Sequence, residues 1–149
     1  MKRAQLSIDL LFAVTLISLT ILSLVSMSVH EAQGARTLDT MAKLKVFTID
    51  LRDTVTKVYS TGQGFAVRKD SPILLAAGDI INVTLNASSD QVEVSALIGG
   101  RRYFTAQKLQ VPLVSDSNVT LSSSNEIMWV VAAYNETVGM VDVRVKQHP

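Results

Sequence analysis

The 149-residue sequence has no cysteine and few aromatic residues. Without cysteine the chain forms no disulfide, thiolate metal site or cysteine nucleophile. Aromatic residues make up 5% of the chain and the formal net charge is +1. Neither a base-stacking platform nor a concentrated basic face is indicated, so no nucleic acid partner is expected. The length limits the chain to one small domain plus an appendage.

The most informative absence is charge in residues 10–29, which contain no Asp, Glu, Lys or Arg. Twenty helical residues span about 30 Å, the hydrocarbon thickness of a bilayer. A secretory signal peptide is disfavoured, because its apolar part is only about 7–15 residues long and here Asp9 stands before the run. A membrane anchor with Lys2 and Arg3 in the cytoplasm fits the composition and exports everything after His30.

The residues before the apolar run carry a more specific pattern. Lys2 and Arg3 are followed by the hexapeptide AQLSID, which ends at Asp9. This arrangement resembles the class III signal peptide of archaeal type IV pilins. The resemblance implies that a prepilin peptidase cuts between Ala4 and Gln5, and that Asp9 stands where the family usually has Glu. A carboxylate in the first turn of the trimmed helix suits the positive end of the helix dipole, and the new Gln5 amine is its expected partner.

Trimming changes the electrostatics of the helix. Loss of Lys2 and Arg3 shifts the formal side-chain charge from +1 to −1, with 12 basic and 13 acidic residues. The resemblance implies a pilus-like filament subunit, which is membrane-anchored as a precursor and lies on the cell surface after assembly. Its expected partners are copies of itself, a prepilin peptidase, a pilus assembly ATPase, a platform membrane protein and, before assembly, membrane lipid. The alternative is an uncleaved bitopic protein that presents an external β domain, such as a structural component of a surface appendage.

The helix is expected to continue beyond the apolar run, since no glycine precedes Gly34 and no proline precedes Pro72. Apolar residues recur at helical steps at Leu38, Met41, Ala42, Leu44, Leu51, Val55, Val58 and Tyr59. The segment around Gly62 is the predicted stop. The predicted organisation is a leader over 1–4, an apolar transmembrane or filament-core helix over 5–33, an amphipathic continuation over 34–61 and an extracellular β domain over 62–149.

Beyond Gly64 the apolar period changes to two, which is typical of half-buried strands. The predicted strands include 82–85, 91–95, 118–121 and 141–145, and Gly99 and Gly100 form a predicted hairpin turn. Residues 127–133 are apolar on both faces and predict a central strand covered on two sides. The predicted fold class is α+β and type IV pilin-like, with a long N-terminal helix packed on a C-terminal antiparallel β-sheet domain.

Four of the five asparagines lie in Asn-x-Ser/Thr sequons. These glycosylation candidates are Asn82, Asn86, Asn118 and Asn135. Strand alternation also produces Asn-x-Thr without any glycan, so the pattern has two interpretations. All four lie in the part predicted to be outside the cell, where a glycan would shield the surface.

Catalysis is not indicated by any motif. The two histidines, His30 and His148, are poorly placed for general base work, and no HExxH, Walker A or GxSxG occurs. We predict no catalytic residue, no metal site and no cofactor. The acids Asp70, Asp79, Asp90 and Asp116 are spaced like turn residues and not like a calcium loop.

Two further surface features have alternative interpretations. Arg101 and Arg102, next to Tyr103 and Phe104, are best explained as a charged hairpin start, and contact with an anionic partner is the alternative. Six hydroxyl residues interrupt the apolar run, at Thr15, Ser18, Thr20, Ser23, Ser26 and Ser28. Their hydroxyls bond either to the carbonyls of their own helix or to a neighbouring helix.

Overall fold

The computed structural model describes the backbone of residues 2–149 and the side chains of residues 8–149. Helix α1 spans Lys2–Thr61 without a break at Gly34. The strands that follow are β1 Ala66–Asp70, β2 Ile80–Asn86, β3 Gln91–Ile98, β4 Arg101–Lys108, β5 Ser117–Ser122, β6 Ile127–Asn135 and β7 Met140–Lys146. The chain divides into two compact units, Met1–Asp39 and Thr40–Pro149. The predicted α+β class, with a long N-terminal helix packed on an antiparallel β domain, is confirmed.

The strands form two antiparallel sheets. One sheet has the order β1-β6-β7 and the other has the order β4-β3-β2-β5. Strand β3 turns into β4 through Gly99 and Gly100, both with positive φ (56° and 75°), as a two-residue hairpin requires. The predicted hairpin at this position is confirmed, with Ile98 paired to Arg101.

The C-terminal part of α1 buries one stripe of side chains against the sheets. Leu44, Phe47, Leu51, Val55 and Val58 are members of the core cluster and repeat at three- and four-residue steps. Burying each such side chain contributes about 1.5–3 kcal/mol relative to exposure. This stripe is what joins the helix to the β domain.

The predicted apolar stripe is wrong at its N-terminal end. Leu38 and Met41 are exposed, as is Ala42, because the buried stripe begins at Leu44. Phe47 was not predicted to be in the core, although it lies three residues after Leu44 on the same face. The helix continues to Thr61, and Gly62 follows with φ of 93° and an N–H that donates to the Val58 carbonyl. This ending confirms the predicted stop.

The strands supply the other side of the core through alternate residues. In β2 the buried positions are Ile81, Val83 and Leu85, which confirms the period-two interpretation of this segment. Strand β6 is central in its sheet, but only the face with Met128 and Val130 is fully buried. Its opposite face is half-buried, so the prediction of cover on both sides is correct for one face only.

Candidate anchoring and assembly helix

The N-terminal part of α1 exposes apolar side chains on every face. Each of residues 8–29 is exposed, including Phe12 at 70% and Leu22 at 66%. A helix that is apolar all round is typical of a membrane span or of a helix packed among others. No described residue of the chain buries this surface, which is therefore available for lipid or for other copies.

By length and composition, α1 is the one helix among the described residues that is able to cross a membrane. Its apolar stretch contains no glycine or proline, so backbone hydrogen bonds continue through it, as hydrocarbon requires. A long apolar N-terminal helix of this kind fits a membrane anchor.

Four of the six hydroxyl groups within the apolar stretch are hydrogen-bonded inside the helix. Thr15 and Ser18 donate to the carbonyls of Leu11 and Val14, each at 2.8 Å. Thr20 and Ser23 repeat the pattern one turn further along, at 2.8 and 2.9 Å. These four hydroxyls therefore need no external partner in lipid.

Asp9 is exposed near the start of the apolar stretch. Among residues 8–149, no side chain forms an ion pair with it. The helix begins at Lys2, so Asp9 enters the first helical turn only if the chain is cut after Ala4. The described side chains begin at residue 8 and so do not include those of Ala4 and Gln5. The predicted cleavage between these two residues stays a prediction.

Two of the four sequons occupy turns. Asn86 ends β2, and its Oδ1 accepts hydrogen bonds from the N–H groups of Ser88 (3.0 Å) and Ser89 (3.3 Å). Asn135 ends β6, and its Oδ1 accepts from the N–H of Thr137 at 3.1 Å. Both sequons are therefore Asx-turns at strand ends, where the chain passes over the surface.

The other two sequons pair with each other across β2 and the edge strand β5. Asn82 lies opposite Thr120 and Thr84 lies opposite Asn118 on the neighbouring strands β2 and β5. The Thr120 hydroxyl donates to Asn82 Oδ1 at 2.7 Å. Asn118 is exposed, whereas Asn82, Asn86 and Asn135 are half-buried. The motifs at Asn82 and Asn118 are part of strand alternation, so it is their position in turns, and not the exposure of the asparagine, that makes the other two sequons the better candidates for modification.

The loop acids tie separate segments together through backbone N–H groups. Asp79 accepts from Gly99 at 2.9 Å, and Asp116 accepts from Ala87 at 2.7 Å. Asp90, a residue with φ of 50°, accepts from Leu113 at 3.3 Å. Among the described residues, no group of three or more His, Cys, Asp or Glu side chains is placed to hold a metal ion.

One acid, Asp142, does not follow the strand pattern that the sequence predicts. Alternation in β7 predicts Asp142 on the solvent side, but it is fully buried, and Val114 and Ser115 bind its carboxylate. Its carboxylate accepts from Ser115 Oγ (2.7 Å), Arg144 Nε (2.8 Å) and the Val114 N–H (3.2 Å). Burial alone raises the pKa of Asp142, but the hydrogen bonds and the Arg144 charge outweigh it, so the net pKa lies below 3.8. Asp142 therefore acts as a structural anchor for the β4–β5 loop.

Comparison of the chain with protein family models, with curated proteins and with solved structures finds no match.

Proposed function

We propose that this chain is a structural subunit of a type IV pilus-like surface filament. The observation that carries the proposal is the exposed apolar helix over residues 8–29, joined in one continuous α1 to a unit that has its own core. In the precursor this surface lies in lipid, with Lys2 and Arg3 on the cytoplasmic side. In the filament the same surface packs against the helices of other copies.

Cleavage between Ala4 and Gln5 by a prepilin peptidase is the step that links the two states. It removes two cations and creates an amine at Gln5, which pairs with the Asp9 carboxylate of the same or a neighbouring subunit. Asp9 has no described ion-pair partner within residues 8–149, which supports a partner supplied by processing or by assembly. A pilus assembly ATPase and a platform membrane protein complete the proposed machinery, and adhesion or surface attachment is the proposed role.

An uncleaved bitopic anchor is the second candidate. Four hydroxyls of the apolar stretch bond to carbonyls of their own helix, which suits this anchor as well as it suits a precursor in lipid. The two candidates differ in what Asp9 does. We expect Asp9→Ala to remain in the membrane fraction but to give no filaments by negative-stain electron microscopy of its own cells. The matched control is Asp53→Ala, which removes an exposed acid from the C-terminal part of the same helix. Normal filaments from Asp9→Ala would contradict the proposed ion pair.

A further inference from the structure

The outer face of the sheet β4-β3-β2-β5 carries a row of side chains that does not contribute to the core. Strand register places Phe104 opposite Ser95, and Ser95 opposite Asn82. Thr120 of β5 continues the row beyond Asn82. The residues that alternate with this row, such as Val83 and Val94, are fully buried on the other face, so the row faces away from the core.

A depression of about 470 Å³ lies at the β4 end of this row. Its lining includes the side chains of Ile80, Asn82, Ser95, Leu97, Arg102 and Phe104. The volume falls within the range of about 300–1,000 Å³ that is typical of small-molecule sites. The depression therefore has room for a ligand of a few rings.

The functional groups in the depression are available for binding. Phe104 is 61% exposed, because the alternation of β4 places its ring on the outer face of the sheet. Arg102 is exposed, and no described side chain forms an ion pair with it. The Thr120 hydroxyl donates to Asn82 Oδ1, and no described hydrogen bond uses the Asn82 Nδ2 group.

We propose that this depression binds an acidic saccharide. The apolar C–H face of a sugar ring packs on the exposed Phe104 ring, as an amphipathic ligand requires. A carboxylate on the sugar pairs with the planar Arg102 guanidinium, which recognises carboxylates through two parallel hydrogen bonds. The sugar hydroxyls bond to the Asn82 amide and the Ser95 hydroxyl, both of which lie in the same row.

Other ligand classes fit the lining less well. Arg102 is the one charged residue among the described residues that line the depression, whereas nucleic acid binding depends on several cations that contact successive phosphates. An extended peptide would add to the edge of β4 through backbone hydrogen bonds, but the lining lies on the face of the sheet. An aromatic ring, an amide and a hydroxyl around a single cation match a carbohydrate that bears a carboxylate.

This inference goes beyond filament formation and does not depend on it, because all of the lining residues belong to one chain. The test uses the full chain in detergent micelles, produced in a host without N-glycosylation, with trigalacturonate as the acidic probe and maltotriose as the neutral one. Isothermal titration calorimetry gives the dissociation constants. We expect binding of trigalacturonate and at least about tenfold weaker binding of maltotriose, since one charge-assisted pair is lost.

Matched variants locate the binding on the sheet. Arg102→Gln is expected to weaken trigalacturonate binding by about tenfold or more, and Phe104→Ala by about fivefold. Phe104→Trp keeps an aromatic platform and is expected to retain binding. The control Lys108→Gln removes an exposed cation from the same strand and is expected to change the dissociation constant by less than about twofold.

Four results would overturn the proposal. The first is no binding of trigalacturonate by the unmodified sequence. The second is an equal loss of trigalacturonate affinity in Lys108→Gln and Arg102→Gln, which would mean that the probe is attracted by the positive charge of the strand as a whole and not by Arg102. The third is undiminished binding in a folded Phe104→Ala variant, with folding checked by circular dichroism. The fourth is equal affinity for the two probes, which would mean that the sugar carboxylate is not recognised.

Discussion

The two parts of helix α1 contain similar apolar residues in opposite environments. Leu22, in the N-terminal part, is 66% exposed, whereas Leu51, in the C-terminal part, is fully buried. The difference comes from patterning, because one part is apolar on every face and the other alternates an apolar stripe with charges such as Lys57. An apolar stripe can be buried by packing against one β domain, but a helix that is apolar on every face is buried only by lipid or by several other helices. One helix therefore combines a core element with an exposed apolar surface.

The largest effect should come from truncating the same residue type in both parts. Leu51→Ala removes a fully buried side chain and is expected to lower the free energy of unfolding by about 3 kcal/mol. Leu22→Ala, the matched control, should change it by less than about 0.5 kcal/mol. The measurement is chemical denaturation in detergent, followed by Trp129 fluorescence. A comparable loss in both variants would show that the N-terminal part of α1 also stabilises the folded unit, which would contradict the difference between the two parts.

A second contrast concerns two acids, Asp142 in the folded unit and Asp9 in the apolar part. Asp142→Ala leaves the Ser115 hydroxyl, the Val114 N–H and Arg144 without their acceptor, and should cost about 2 kcal/mol at neutral pH. Asp9→Ala should leave the free energy of unfolding unchanged. Equal destabilisation by the two substitutions would contradict the structural role given to Asp142.

The Asp142 contribution should also depend on pH. Its pKa in the folded chain lies below 3.8, so the folded state favours the charged form. The stabilisation is therefore fully present above the pKa of the unfolded chain and is lost as the pH falls through the lower folded-state pKa. Denaturation curves at a series of pH values should show the difference between wild type and Asp142→Asn shrinking below about pH 4. A difference that grows on acidification would contradict a lowered pKa of Asp142 in the folded chain.

A smaller contrast tests the hydroxyls that bond back to the helix. Thr48 is fully buried and donates to the Leu44 carbonyl at 2.7 Å, whereas Thr15 makes the same bond from an exposed position. Thr48→Val should lower the free energy of unfolding by about 1 kcal/mol or less. Thr15→Val should have no measurable effect on it. A loss in Thr15→Val comparable to that in Thr48→Val would show that the exposed hydroxyl has a partner beyond its own helix.

The smallest effect on folding is expected from the sequons, all of which lie in the unit Thr40–Pro149. Peptide mass spectrometry of the native protein should find glycan mass on peptides with Asn86 or Asn135, since these form surface turns. Asn86→Gln and Asn135→Gln should remove that mass with little change in unfolding. Glycan found on Asn82 and Asn118 alone would reject the preference for turns.

Much of the fold was predictable because it depends on periodicity. The change of the apolar period beyond Gly64 and the turn at Gly99 and Gly100 located several strands and one hairpin. Strand β1 was not predicted, because its sequence AVRKD has no alternating pattern and is held by pairing with β6. The burial of Asp142 was also missed, since the loop that covers it comes from about 28 residues earlier in the chain.

The candidate surfaces were predictable to different extents. The uncharged run over residues 10–29 and Asp9 could be identified from local sequence alone. The row from Phe104 to Asn82 could not, because it joins β4, β3 and β2 through a register that no local pattern specifies. The proposed binding surface therefore depends on tertiary pairing of strands, whereas the apolar helix can be recognised from composition and length alone.

The most direct test of the filament proposal is the intact mass of the protein isolated from the surface of its native cells. The proposal predicts a chain that begins at Gln5 and lacks the mass of residues 1–4. The Ala4→Trp variant should keep that mass if Ala4 is at the cleavage site. A surface-isolated wild-type chain that retains Lys2 and Arg3 would contradict processing and favour the uncleaved anchor.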